Sequence, residues 1–321
     1  MPRVCDRARR PGAYSRCRPV LGRETYYKLG LPNRSPKTSD RMSIIQRLVS
    51  FVLAACEHRS VPPIARLYRP NENIPDRRDK KFGVVMLADG SCGFFYAGFN
   101  GTKAALRAMD THMLEGASAL ELIGKCLGDD PLDRAIGFGV LNAVSQHLLR
   151  SSGVTLDQAT DPVGHLDLAT ASHVGMVGFF PPLVKRLAAA NARLTIIEKD
   201  QELLSRTGPF DITSAPAALS ACDRVLITGS TLINNTLDEV LEHCTSRAQI
   251  ALIGPTASCL PDPLFERGIS VIGSVTVRDS ALLHRLLEAG EAWDDATQKY
   301  CLTKQEYSHS FGLGDPRREM S

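Results

Sequence analysis

Three short stretches hold the residues best equipped for chemistry: "GFFPP" at 178–182, "TGSTLINNT" at 228–236 and "GPTAS" at 254–258. The second offers Gly229, Ser230, Thr231, Asn234, Asn235 and Thr236, and the third offers Gly254, Pro255, Thr256 and Ser258. Neutral hydroxyls and carboxamides of this kind hold a small polar ligand. An anion at one helix start gains only about 0.3–1 kcal/mol, whereas micromolar binding needs about 8 kcal/mol. Several convergent donors are therefore required, and two neighbouring loops can supply them. No Ser–His–Asp order, nucleophile elbow or carboxylate pair with a base accompanies these loops.

The first loop is the start of a nucleotide site gone wrong. Glu198 lies 23 residues past Gly175, near the spacing of the acid that grips a ribose hydroxyl in dinucleotide folds. Yet Gly178 stands without the later glycines, Phe179 and Phe180 crowd the turn, and Pro181 and Pro182 remove N–H donors from the helix start. Weak or no NAD binding is expected.

Metal-ligand spacing is equally thin. Eight histidines are well separated and nine cysteines form no CxxC pair. Cys92 and Cys259 are the candidate soft ligands, while His147 reads as a core residue. A metal already held in an organic chelate suits the hydroxyl and amide loops better than direct ligation. The cofactor expectation is accordingly a metal ion or metal chelate.

The elements that must position these loops fall into two groups along the chain. Residues 1–41 hold eleven Lys/Arg and three Asp/Glu, a net +8, and five prolines. They read as a disordered basic leader, either a transit peptide or the product of an upstream start, with Met42 the favoured true beginning. The remainder has 27 basic and 32 acidic residues, or −5, so basicity gives no argument for nucleic acid. A helix capped by Ser43, a strand at 62–68, a loop at 69–81, a hairpin at 82–99 and helices at 101–109, 116–127 and 131–150 make an N-terminal α+β domain, 42–152. From 153 to 300, strands at 173–178, 193–198, 223–228, 248–253 and 269–273 alternate with helices near 182–191, 215–221, 236–244 and 279–289. That alternation predicts a Rossmann-like doubly wound parallel sheet, with 301–321 as a tail. No apolar run reaches the roughly 18 residues of a membrane span. The scattered thiols and the missing secretory signal predict a cytoplasmic protein.

"GMVGFFPPLV", "LITGSTLINNT", "IGPTASCLPDPLFERGISVIGSVTVRD" and "DPLDRAIGFGVLNA" together resemble a domain family of unknown function described as heavy-metal-chelation proteins. The resemblance spans about 43–295. It implies a piece similar to the capping domain of enolases, a Rossmann-like domain after it, and a site between them. The motifs match at Asn142, Gly178, Pro181, Gly229, Asn234, Thr236, Gly254 and Pro255.

The leading expectation is a two-domain protein that binds a small-molecule ligand or metal chelate between the domains at the carboxyl edge of the sheet, with no nucleic-acid or membrane partner and homo-oligomerisation left open. The alternatives are an enzyme using a nucleotide-like cofactor such as S-adenosylmethionine, with Glu198 on ribose, and a scaffold whose cleft is filled by side chains.

Overall fold

The computed structural model describes residues 42–71, 81–99, 101–158, 164–168, 170–189 and 192–307. The expected leader, most of the 69–81 loop and the chain beyond 307 lie outside the described residues.

Helix α1 (Ile44–Ala55) starts where the sequence places it: Ser43 and Gln46 form a reciprocal capping box. Strands β1 (Ile64–Tyr68), β2 (Phe82–Leu87) and β3 (Cys92–Tyr96) make an antiparallel meander, β1-β2-β3. Two short helices, α2 (Thr102–Ala108) and α3 (Ala119–Ile123), precede the long α4 (Pro131–Ser151), capped by Asp130 with proline in its first turn. The sequence predicts one apolar face for α4. Instead, every residue from Ala135 to Gln146 is buried, because α4 lies between the meander and the rest of the protein.

The second sheet has seven strands: β4 (His173–Val177), β5 (Arg193–Ile197), β6 (Asp211–Thr213), β7 (Arg224–Thr228), β8 (Gln249–Ile253), β9 (Val271–Val277) and β10 (Thr297–Thr303). Their order is β10-β9-β8-β7-β4-β5-β6, parallel except for β10, which runs antiparallel to β9. Leaving β10 aside, this is the Rossmann order 3-2-1-4-5-6, with its topological switch point between β4 and β7. Apolar residues cover both faces. Val225, Ile227 and Leu252 join the core of α1 and α4, whereas Met176, Ile196 and Leu226 face α5 (Pro181–Ala189).

Two strands depart from the expectation. β6 has only three residues and follows the four-residue α6 (Gln201–Leu204) and a turn-rich stretch, so it carries almost no periodic signal. β10 continues to Thr303, with Cys301 and Leu302 buried, which carries folded structure past the expected boundary at 300. The helix expected at 215–221 is a 3-10 turn, Pro216–Ala221.

The meander is packed on both faces. Val85, Leu87 and Phe95 face the α4 core, while Tyr68, Val84, Met86 and Phe94 pack with Val275, Leu283 and Trp293 of the second sheet's side. The Phe94 and Trp293 rings lie 4.8 Å apart. The seam between the two sheets is therefore largely solid.

Candidate functional site

The predicted residues line an arc along the carboxyl ends of β4, β5, β7 and β8. At the switch point, Gly178 has φ +89°, and a Cβ there would come within 3.1 Å of Thr228 Cγ2. That closeness explains the lone glycine: the turn folds down onto the neighbouring strand end. Glu198 belongs to the same turn. Its carboxylate accepts from the backbone N–H groups of Phe179 (3.1 Å), Lys199 (2.8 Å) and Asp200 (3.2 Å). An ionised carboxylate has about four acceptor sites, so most of its capacity is spent bracing the turn. Phe179 turns outward onto Phe210, with Arg206 over its ring. Pro181 is exposed at the start of α5.

The loop after β7 turns into α7 (Ser230–Ile233) and then α8 (Leu237–Glu242). Ser230 shares a 2.9 Å hydrogen bond with Thr228, and Thr231 donates to the Thr228 carbonyl. Asn234 accepts from Thr236, while Asn235 is exposed in the left-handed region, φ 56°. Thr236 occupies the N-cap of α8 without making a side-chain cap bond. Gly229 sits against the next loop, where a Cβ would approach Ala257 N to 2.9 Å. The two polar loops are thus side by side.

The loop after β8 is covered. Gly254 has φ +120°, and Pro255 opens a short 3-10 turn through Ala257. Thr256 and Ser258 are each 1% exposed and Asn142 is 0% exposed. Asn142 donates to the carbonyls of Phe94 (2.8 Å) and Thr256 (2.9 Å), so one amide ties the meander to this loop. One helical turn later Gln146 donates to the Ser258 carbonyl and the Tyr300 hydroxyl, tying α4 to the same loop and to β10. Three polar atoms at this seam have no hydrogen-bond partner among the described residues: Asn142 Oδ1, Thr256 Oγ1 and Ser258 Oγ. Buried polar groups are normally satisfied, and the cluster is concentrated where α4 meets the sheet edge.

Tyr96, at the end of β3, is a residue the sequence reading passed over. Burial raises its phenol pKa, and the carboxylates of Glu198 and Asp200 add to that, so it stands near the switch-point turn. An aromatic with a polar tip closing a strand was the available signal.

The chemistry does not suit direct binding of a soft metal. Thiolate is the metal-binding form of cysteine, yet burial pushes Cys259 and Cys56 up to about 12 and raises Cys92 and Cys126 strongly. Among the described residues, no three His, Cys, Asp or Glu side chains gather as a metal-holding set. His147, expected in the core, bridges Asp89 (2.7 Å) and the Ser60 carbonyl (3.1 Å). No helix among the described residues is long and apolar enough to cross a membrane.

Fold and site together define a Rossmann-like sheet whose carboxyl edge is capped by an antiparallel meander and one buried helix. A sequence model described as "Putative heavy-metal chelation" (DUF364) matches residues 161–304, and a second with the same description (DUF4213) matches 80–145. It is 28% identical over 186 residues to an uncharacterized protein of Methanocaldococcus jannaschii, covering 57% of this chain and 70% of that one. Two solved structures share the fold. One is a DUF364-family protein of unknown function from Pyrococcus horikoshii, with a TM-score of 0.59 and 19% identity, covering 81% of this chain and 99% of the other. The second, from Desulfitobacterium hafniense and also of unknown function, has a TM-score of 0.60 and 21% identity, covering 81% and 98%.

Proposed function

We propose that this protein binds a small polar ligand, a metal ion held in an organic chelate, where the meander and α4 meet the carboxyl edge of the parallel sheet. The observation that carries the reading is the set of unpartnered buried atoms, Asn142 Oδ1, Thr256 Oγ1 and Ser258 Oγ, beside the Gly229–Ser230 loop. A buried group left without a hydrogen bond costs about 1–3 kcal/mol, so a ligand that satisfies several is favoured over solvent. Access comes from the switch-point side, where Gly178, Phe179, Ser230 and Tyr96 are only half-buried. The description of the matched sequence models supports a metal-linked ligand, and the neutral hydroxyl and amide groups of the two loops suit a metal that arrives already chelated.

The scaffold reading has one observation in its favour, the solid packing of Phe94 on Trp293 across the seam. Native mass spectrometry with elemental analysis of the purified protein separates the two. A retained small molecule with bound metal supports the chelate reading. A bare chain that takes up no chelate supports the scaffold.

A further inference from the structure

A second place between the two sheets has a different chemistry. A recess of about 350 Å³ opens beside the β2–β3 turn, the end of α4 and the end of β9. Among the described residues its charged lining is Arg150 and Arg278, joined by neutral polar residues such as Ser91, Gln146, Gln158 and Thr276, and none of those lining it is Asp or Glu.

The two arginines come from different parts of the chain. Arg150 is in the last turn of α4, where its guanidinium bonds the Asp89 carboxylate and lies 3.2 Å from the Asp89 carbonyl. The Asp89 carboxylate also accepts from the Ser91 N–H and hydroxyl and pairs with His147, so it sits beside the recess and balances part of the Arg150 charge. Arg278 directly follows β9, and its guanidinium makes a long 3.4 Å contact to the Asp295 carbonyl. A guanidinium presents five donors in a planar fork matched to phosphate and carboxylate oxygens. Arg150 spends its Nη2 on Asp89 and Arg278 spends its Nη2 on the Asp295 carbonyl.

We propose that this recess is an oxyanion site, taking a phosphate- or carboxylate-bearing small molecule between Arg150 and Arg278. It is larger than a bare ion requires, which suits a small organic anion. The site is separate from the switch-point arc and stands whether or not that arc binds a chelate.

The test is calorimetric titration of the full chain with inorganic phosphate and, separately, with citrate, at low salt. Saturable binding of either anion is expected, and which one binds identifies the class of headgroup. Arg278→Gln should weaken it about tenfold or more, the loss of a charge-assisted hydrogen bond. Arg278→Lys should keep part of the affinity, and Ser230→Ala, at the other site, should leave it unchanged. Arg278 is exposed, so its replacement leaves the fold intact. Absence of saturation with both anions overturns the proposal, as does an Arg278→Gln variant that binds as tightly as the parent.

Discussion

Asn142 donates both amide protons across the seam, to Phe94 and Thr256, and does so from the middle of a buried helix. Asn142→Leu removes both donors and leaves two buried carbonyls unpaired, at about 1–3 kcal/mol each. A drop of that order in urea-derived unfolding free energy is expected; an unchanged midpoint would show that the seam does not depend on this residue. Glu198 makes a parallel case at the switch point. With its carboxylate bracing the Phe179 turn and two prolines following, NAD should show no micromolar binding by calorimetry. Tight NAD binding would mean that the turn reopens. At this scale the sequence was partly legible. The polar types in the two loops were evident, but which of them are covered was not, since burial of Thr256 and Ser258 depends on α4, more than 100 residues earlier in the chain.

Among the elements, the closest contact is between α4 and β3. A Cβ on Gly93 would lie 2.1 Å from the Gly139 carbonyl oxygen and 2.3 Å from the Ala143 nitrogen, both backbone atoms. Gly93→Ala must push helix from strand and should destabilise by about 1–3 kcal/mol, the usual cost of overpacking. A thermal melt within a degree of the parent would contradict this packing. The helix and its Asp130-Pro131 start were legible, as were the five central strands, because buried parallel strands read as short apolar runs between turns. β10 was missed because "TQKYCLT" mixes Lys299 and Gln298 with its buried Tyr300 and Cys301, as an antiparallel edge strand does.

For the whole molecule, two carboxylates link stability to pH. Burial pulls the Asp89 pKa upward, but the Ser91 N–H, His147 and Arg150 outweigh it and hold the carboxyl below its usual value. Asp223 is likewise lowered: the upward effect of burial is outweighed by the combined hydrogen bonds from Ser172 and His173 and the charge of Arg224. A depressed folded-state pKa contributes stability that is complete above the unfolded value, near 3.8, and is lost as pH falls through the folded value. Acid should therefore destabilise the fold, and Asp89→Asn should flatten that dependence below about pH 4. An identical acid profile in the variant would remove Asp89 from the linkage.

The central claim is that the unpartnered polar atoms at the seam are met by a ligand, and Thr256→Val tests it at the atom concerned. The substitution removes a buried hydroxyl that has no partner among the described residues, while keeping the side chain's shape. Native mass spectrometry and elemental analysis, run on parent and variant side by side, should find a chelate retained by the parent and reduced about tenfold or more in the variant, with ligand-free stability no lower. Equal retention in both, or none in either after incubation with metal chelates, would contradict the account.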